Sequence, residues 1–355
     1  MKSSTVLSDE KLIVLSSIYV SSLCLSIIGS FSVLVVTAVK RRHLIEQAKP
    51  LFQLALADFL ASIALIGSTI INFLSYETAH KSGVVCNDGL SLSLMFFCIS
   101  FLLVIIYACE SAYTAQGWRV QTEEACRHQV TGAREDRRWM FNILYVFVWF
   151  IPLIGYIIYI RTITLTQVPY IPSSPGSNDV RNYDSGSTNA KFCNSCILFL
   201  HLHIENDSCP AVDLRHRNIT RGFIFASVLG VLICCTLVYW RLQSWYRHYE
   251  QAGMFQVSTR HAGTICSSAR YMILVIIFCW TPPLVVICLS FACSETDRMF
   301  PLFVMQAMSI SLQGFLNSIV YAWRRRNFRE AVLGERLPLL SYTNQAFFDQ
   351  SLSET

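Results

Sequence analysis

Charged residues are scarce in this sequence. Asp, Glu, Lys and Arg make up 14% of its 355 residues, against about 25% in soluble domains, while hydrophobic residues reach 53%. This balance excludes a chain of ordinary soluble domains, although the length alone would allow two or three of them. The net charge is only +5 and the basic residues form no long stripe, so we expect no nucleic-acid partner.

Polar interruptions are missing over long stretches, and the apolar residues form blocks. A helix needs about 20 largely apolar residues to cross a bilayer, and only helices or closed barrels satisfy their backbone there. The blocks lack the alternation of barrel strands. We therefore predict an all-α membrane protein, a seven-transmembrane helix bundle embedded in membrane lipid. The predicted spans are residues 12–39, 51–75, 89–115, 139–160, 221–243, 270–293 and 301–323.

No signal-peptide cleavage site follows the charged start of the chain, so the first span is expected to act as an uncleaved signal anchor. The two ends are also shorter than the roughly 50 residues of a small domain. The predicted organisation is an extracellular N-terminus (1–11), a transmembrane domain (12–323) with a long extracellular loop (161–220), an amphipathic helix (324–333) and a cytoplasmic tail (334–355).

Acids and histidines are rare within the predicted spans. Asp58 and Glu110 are the clear acids there, and His201, His203 and His216 lie outside. Hydrolysis inside a membrane needs paired carboxylates, a metal cluster or a serine–base pair that faces one cavity. We therefore predict that the protein is not an enzyme and has no catalytic residues.

Lys and Arg are more frequent in the segments that face the cytoplasm if the N-terminus lies outside, and the positive-inside rule favours that orientation. Two glycosylation sequons agree, because Asn206 and Asn218 each begin an Asn-x-Ser/Thr triplet in the long loop. Such triplets also arise by chance, so both are candidates only. The expected location is the plasma membrane or an endosomal membrane.

The sequence has 14 cysteines, and most fall in the spans or on the cytoplasmic side, where thiols stay reduced. On the outside, a disulfide from Cys86 would tether the long loop over the helices. Cys193, Cys196 and Cys209 are three possible partners, and the sequence does not choose among them. Two histidines follow Cys193 and Cys196 as in some zinc sites, but thiols in an oxidising compartment more often form disulfides. We predict no metal site.

The long loop changes character along its length. Residues 168–189 are rich in Pro, Ser, Gly and Asn, which predicts irregular structure. After them, the apolar alternation around residues 197–200 predicts a short β-hairpin that lies over the helix bundle.

Three motifs resemble those of the rhodopsin-like G-protein-coupled receptors. The second span has Leu54-Ala55-Leu56-Ala57-Asp58 where that family has Leu-x-x-x-Asp. The sixth has Cys279-Trp280-Thr281-Pro282 for Cys-Trp-x-Pro, and the seventh has Asn317-Ser318-Ile319-Val320-Tyr321 for Asn-Pro-x-x-Tyr. The preceding stretch, Leu312-Gln313-Gly314-Phe315-Leu316, resembles the cyclic-AMP and secretin-type receptors instead. The resemblance covers residues 12–333 and is that of a divergent member.

The resemblance implies a pocket for a ligand and a sodium ion, lined by Asp58, Ser100, Trp280 and Asn317. A carboxylate in mid-membrane has to face other helices or water. A purely structural polar residue inside the bundle is the alternative interpretation of Asp58. No other cofactor is expected.

The resemblance also implies an activation switch at Glu110, Ser111, Pro282 and Tyr321. Pro282 removes a backbone donor and kinks its helix. The family's Asp/Glu-Arg-Tyr motif falls at residues 110–112, so Ser111 stands in place of the arginine that meets the G protein in the family. Its absence puts ordinary G-protein coupling in doubt.

Two features of the C-terminal region complete the sequence predictions. The arginines from Arg324 resemble the start of the family's amphipathic eighth helix, which lies on the membrane with its basic residues near anionic head groups. Farther along, Glu335, Leu339 and Leu340 fit an acidic dileucine sorting motif that a clathrin adaptor would bind. Chance apolar sequence is the alternative interpretation.

The leading functional hypothesis is a G-protein-coupled-receptor-like protein that passes an unknown extracellular ligand's signal to a heterotrimeric G protein or arrestin by helix rearrangement. A ligand can shift such an equilibrium only by its differential affinity for the two states. A non-signalling scaffold or trafficking protein is one alternative, favoured by the missing arginine and the dileucine motif. A transporter of a small solute or ion is the second, and the lack of internal repeats counts against it.

Overall fold

The computed structural model describes residues 7–39, 48–73, 83–123, 131–166, 196–200, 214–251, 259–292 and 298–324. All regular elements in these ranges are helical. They are α1 (Asp9–Val39), α2 (Ala48–Ile70) with a short 3₁₀ helix after it (Ile71–Phe73), α3 (Gly83–Glu123), α4 (Thr131–Thr166), α5 (Leu214–Gln251), α6 (Thr259–Ala292), α7 (Phe300–Ser311) and α8 (Gln313–Arg324).

Helices α1 to α6 are long and apolar enough to cross a membrane. Helices α7 and α8 pass the same test only together, because each has only 12 residues, and they meet at an angle of 42°. The described residues thus hold six candidate spans, or seven if the bent pair is one. This confirms the prediction of an all-α, multi-pass membrane protein, and the six helices run at or beyond most of their predicted boundaries.

Helices α1 and α2 are antiparallel neighbours. The Asn72 amide at the end of the second span donates to the Ser16 hydroxyl near the start of the first (3.1 Å), and Ser62 donates to Ser26 farther along (3.1 Å). We call the end of the bundle where α1 begins the N-terminal end.

Helices α4 and α5 lie at the periphery. Only 11% of the apolar window of α4 and 17% of that of α5 are buried within the protein, against 56% for α2 and α3. Their outer faces are apolar, with Trp139 69% exposed and Phe223 71% exposed. A helix that is apolar on all sides is typical of a membrane span, so we expect lipid to cover these faces.

A close backbone approach joins α1 to α8. A Cβ atom at Gly29 would lie 3.2 Å from the Cα of Phe315, and one at Gly314 would lie 2.7 Å from the Ser30 hydroxyl and 3.2 Å from the Cβ of Asp58. Small residues at helix crossings allow this approach between transmembrane helices. It brings the start of α8 against the middle of α1 and α2.

The segment Cys196–Leu200 is not part of a β-hairpin above the helices. It is a turn, closed by a hydrogen bond from the Leu200 amide to the Ile197 carbonyl (3.2 Å). All five of its side chains are 1% exposed or less. The sequence prediction is therefore wrong for these residues: burying every side chain inside the bundle removes more apolar surface from water than a half-exposed strand would.

Candidate functional site

A buried polar cluster surrounds Asp58, which is 1% exposed in the middle of α2. Ser100 of α3 donates to its Oδ1 atom (2.7 Å), and Asn317 of α8 donates to Oδ2 (2.8 Å). The Gln313 amide also donates to Oδ1, at 3.2 Å. Three neutral donors from two other helices thus satisfy the carboxylate, as a buried acid requires.

Gln313 connects this cluster to Trp280. The indole Nε1 of Trp280 donates to Oε1 of Gln313 (2.7 Å), and Nε2 of Gln313 also donates to the Ser100 hydroxyl (3.1 Å). Gln313 is fully buried. Its side chain therefore uses both its acceptor and its donor end to link α6 with α2 and α3.

Three phenylalanine rings surround Trp280. The rings of Phe101 and Phe97 lie edge-on to it, with centroids at 4.8 Å and 5.5 Å. Phe199, from the buried loop segment, makes a third edge contact at 6.4 Å. Edge-to-face contacts at these separations are favourable, so the orientation of the Trp280 ring is fixed both by packing and by its hydrogen bond.

Side chains of the spans hold the backbone of the loop segment. The Cys196 amide donates to Oδ1 of Asn72 (2.9 Å), and the amide of Gln306 in α7 donates to the Leu198 carbonyl (2.8 Å). Gln306 also donates to the Tyr19 hydroxyl of α1 (3.2 Å). These bonds satisfy backbone groups that would otherwise be buried without a partner.

The residues expected to form the ligand and sodium pocket are brought together. Ser100 and Asn317 each donate a hydrogen bond to Asp58, and Trp280 joins this group through Gln313. Sequence reasoning gave no role in the site to Gln313, which it quoted only within a second resemblance, or to Phe97, Phe101, Asn72 and Gln306. Only the first had a readable signal: Gln313 lies four residues before Asn317, one helical turn away on the same face.

The four residues of the expected switch lie on three different helices, α3, α6 and α8. Tyr321 is buried and lines a small cleft with Asp58 and Asn317, on the side of the cluster away from the N-terminal end. Pro282 lies in α6, which continues as a helix through it to Ala292. Glu110 and Ser111 lie about 15 Å farther along α3 than Ser100, at 1.5 Å per residue.

At the position of the family's missing arginine, Ser111 is 4% exposed and donates to the Tyr107 carbonyl in its own helix (2.6 Å). The neighbouring acid, Glu110, contacts a different helix, because the Tyr145 hydroxyl of α4 donates to its Oε2 atom (2.5 Å). In this structure Glu110 therefore connects α3 to α4.

The residues around Asp58 fit a sodium ion in their chemical type. A hard cation prefers oxygen ligands, and the cluster offers the Asp58 carboxylate, the Ser100 hydroxyl and the Oδ1 atom of Asn317, which has no hydrogen-bond partner among the described residues. Both carboxylate oxygens already accept hydrogen bonds from the protein. An ion bound here would have to displace at least one of those donors.

Several candidate residues lie outside the described part of the chain. These are Cys193, Cys209, Asn206, Glu335, Leu339 and Leu340, together with all of the predicted amphipathic helix after Arg324. Cys86 and Asn218 fall within the helical backbone of α3 and α5, but their side chains are not described.

A search against models of known protein families finds no match for the sequence, and no curated protein matches it either. The class that the fold and the cluster define is a multi-pass helical membrane protein with a buried polar centre.

Proposed function

We propose that the protein is a receptor-like signalling protein of the seven-helix type, with α7 and α8 crossing as one bent span. In this proposal, what occupies the space beside Trp280 near the N-terminal end of the bundle changes how the helices are arranged at the opposite end. One observation carries this proposal: contacts run without a break from Phe199 through Trp280 and Gln313 to Asp58 and Asn317.

The physical basis of the coupling is that each group in this path is buried and has a specific partner. If the Trp280 ring rotates, Oε1 of Gln313 loses its donor, and Gln313 can then no longer hold Asp58 and Ser100 in the same geometry. Buried polar groups left without partners are costly, so such a network favours discrete arrangements over gradual change. An intramembrane acid within it supports a functional role.

The proposed orientation has the N-terminal end outside the cell and the opposite end in the cytoplasm. The cytoplasmic partner is a heterotrimeric G protein or arrestin, and the location is the plasma membrane or an endosomal membrane. The mild excess of Lys and Arg in the proposed cytoplasmic segments supports this orientation.

The test is basal activation of a panel of Gα types in cells at matched surface expression. Trp280→Phe keeps an aromatic ring but removes the Nε1 donor. Thr281→Val is the matched control, because Thr281 is exposed and donates only to Ile277 of its own helix. We expect Trp280→Phe to change the signal and Thr281→Val to leave it at the native level. Equal signals from all three proteins for every Gα would refute the proposal.

The buried serine at position 111 favours a second candidate, a seven-helix scaffold or trafficking protein without G-protein coupling. Ser111 offers no long basic side chain to a partner, since its hydroxyl is bonded within its own helix. Ser111→Arg, compared at matched surface amounts, separates the two candidates. Activation by the native chain supports the receptor, activation only by the variant indicates a scaffold that has lost coupling, and silence of both favours the scaffold.

A further inference from the structure

Five consecutive residues of the long loop lie buried among the spans, beside Trp280. Cys196–Leu200 is at most 1% exposed along its whole length, and it reaches Trp280 through the ring of Phe199. Four of the five side chains are large and apolar. The cavity next to Trp280 is therefore filled by the chain itself.

The spans bind this segment much as proteins bind peptides, through main-chain hydrogen bonds with apolar side chains between them. Asn72 accepts from the Cys196 amide and Gln306 donates to the Leu198 carbonyl. Both side chains are in turn held by α1, Asn72 by Ser16 and Gln306 by Tyr19. The binding groups are thus positioned by contacts that do not involve the segment.

The backbone of Phe199 shows how tightly the segment is constrained. Its φ angle is +66°, in the left-handed region that bulky residues rarely adopt. A strained conformation of this kind persists only where the surroundings fix it. Here it turns the Phe199 ring toward Trp280, between the hydrogen bond at Leu198 and the turn closure at Leu200.

We propose that Cys196–Leu200 is the resident ligand of this cavity, an apolar peptide supplied by the chain, and that it sets the conformation of Trp280 without a diffusible ligand. Because the segment is covalently attached, its binding is intramolecular and independent of ligand concentration. A diffusible competitor would have to be peptide-like, with a donor for Asn72 and an acceptor for Gln306. The signalling consequence rests on the proposed function; the occupancy of the cavity does not.

The experiment is fluorine NMR of the full chain labelled with 5-fluorotryptophan. The protein has seven tryptophans, and the resonance lost in Trp280→Phe identifies position 280. Phe199→Ala keeps a Cβ atom in the strained backbone and removes only the ring. We expect the Trp280 resonance to move or split in this variant. Phe223→Ala, at a 71% exposed phenylalanine, is the matched control and should leave it in place.

Phe199→Leu serves as a second variant in case the alanine variant does not fold, because leucine keeps most of the apolar volume of the side chain. An unchanged Trp280 resonance in folded Phe199→Leu or Phe199→Ala protein would overturn the proposal. In the Gα assay we expect the Phe199 variants to shift the basal signal in the same direction as Trp280→Phe, by about fivefold or more.

The two proposals fail in different ways. If the resonance responds to Phe199 while no Gα responds to any variant, the resident ligand stands and the receptor function falls. If Trp280→Phe alters the Gα signal but the Trp280 resonance is unchanged in the Phe199 variants, the receptor function is supported and the resident-ligand proposal is refuted.

Discussion

At the scale of single residues, Gln313 holds the candidate site together. Its carboxamide accepts from Trp280 and donates to Asp58 and Ser100, and no water has access to it. The motif that drew attention to the seventh span begins four residues later, at Asn317. The residue that links two of the rhodopsin-like motifs therefore lies outside all three of them.

Replacing Gln313 by Leu should destabilise the protein by about 1–2 kcal/mol, because it leaves the Trp280 indole without an acceptor and removes one of the two donors to Oδ1 of Asp58. Thermal unfolding of the purified chain in detergent measures this loss. Thr281→Val, which changes an exposed residue in a neighbouring helix, is the control. A Gln313→Leu protein as stable as the native one would show that the network adds nothing to the fold.

The backbone contact at Cys196 also selects among the possible disulfides. Seven described cysteines carry free thiols, and Cys196 is not one of them. Its amide is bonded to Asn72 at the N-terminal end of the second span. A Cβ atom at Gly89 would contact Ser68, one turn below Asn72, and Cys86 is about one turn before Gly89 in the antiparallel α3.

We therefore predict a Cys86–Cys196 disulfide. Peptide mapping of the unreduced protein by mass spectrometry should recover these two cysteines in one cross-linked peptide. Recovery of Cys86 joined to Cys193 or Cys209 instead would contradict the prediction. Cys196→Ser should also lower the apparent melting temperature, because the loop segment loses its covalent anchor.

At the scale of helices, the seventh span shows how one substitution alters an element. Ser318 stands where the family motif has proline, and its hydroxyl donates to the Gly314 carbonyl (2.7 Å). Since serine keeps its backbone donor, α8 is continuous from Gln313 to Arg324. The bend of the span lies instead at Leu312, where the start of α8 packs against α1.

The contact between α1 and α8 gives a prediction about packing. Gly29→Val should destabilise the protein by about 1–3 kcal/mol, because its Cβ alone would lie 3.2 Å from the Phe315 backbone and overpacking carries that penalty. Gly67→Val is the matched control, since a Cβ at Gly67 would meet nothing within 4 Å. The explanation fails if both variants unfold at the same temperature.

At the scale of the whole molecule, the orientation in the membrane determines which end meets a cytoplasmic partner. The proposed orientation puts the long loop outside, where Asn206 can be glycosylated. Asn218 lies inside α5, four residues from its start and close to the apolar window that begins at Gly222. A site so near the membrane is a poorer acceptor than one in the loop.

Digestion with an endoglycosidase should therefore increase the gel mobility of the native protein. The change should disappear in Asn206→Gln and persist in Asn218→Gln. A mobility change that depends only on Asn218 would contradict the assignment of the site. A protein whose loop is reached only from the cytoplasmic side, as shown by protease protection in sealed vesicles, would reverse the orientation.

The sequence by itself determined the class of fold. Long apolar blocks with 14% charged residues permit only helices in a bilayer, because each helix satisfies its own backbone whatever surrounds it. The resemblance to the receptor motifs also implied that Asp58, Ser100, Trp280 and Asn317 belong to one site. A buried acid in lipid has to find polar neighbours on other helices.

Only the tertiary structure decided what connects those residues and what lies above them. Gln313 becomes the link because three helices approach it at once, which no local pattern records. Cys196–Leu200 looked like half of a hairpin, since apolar alternation does not reveal whether both faces of a segment will be covered. Its true partners, Asn72, Gln306 and Trp280, are 81 to 124 positions away along the chain, and they surround the segment only once the spans have packed.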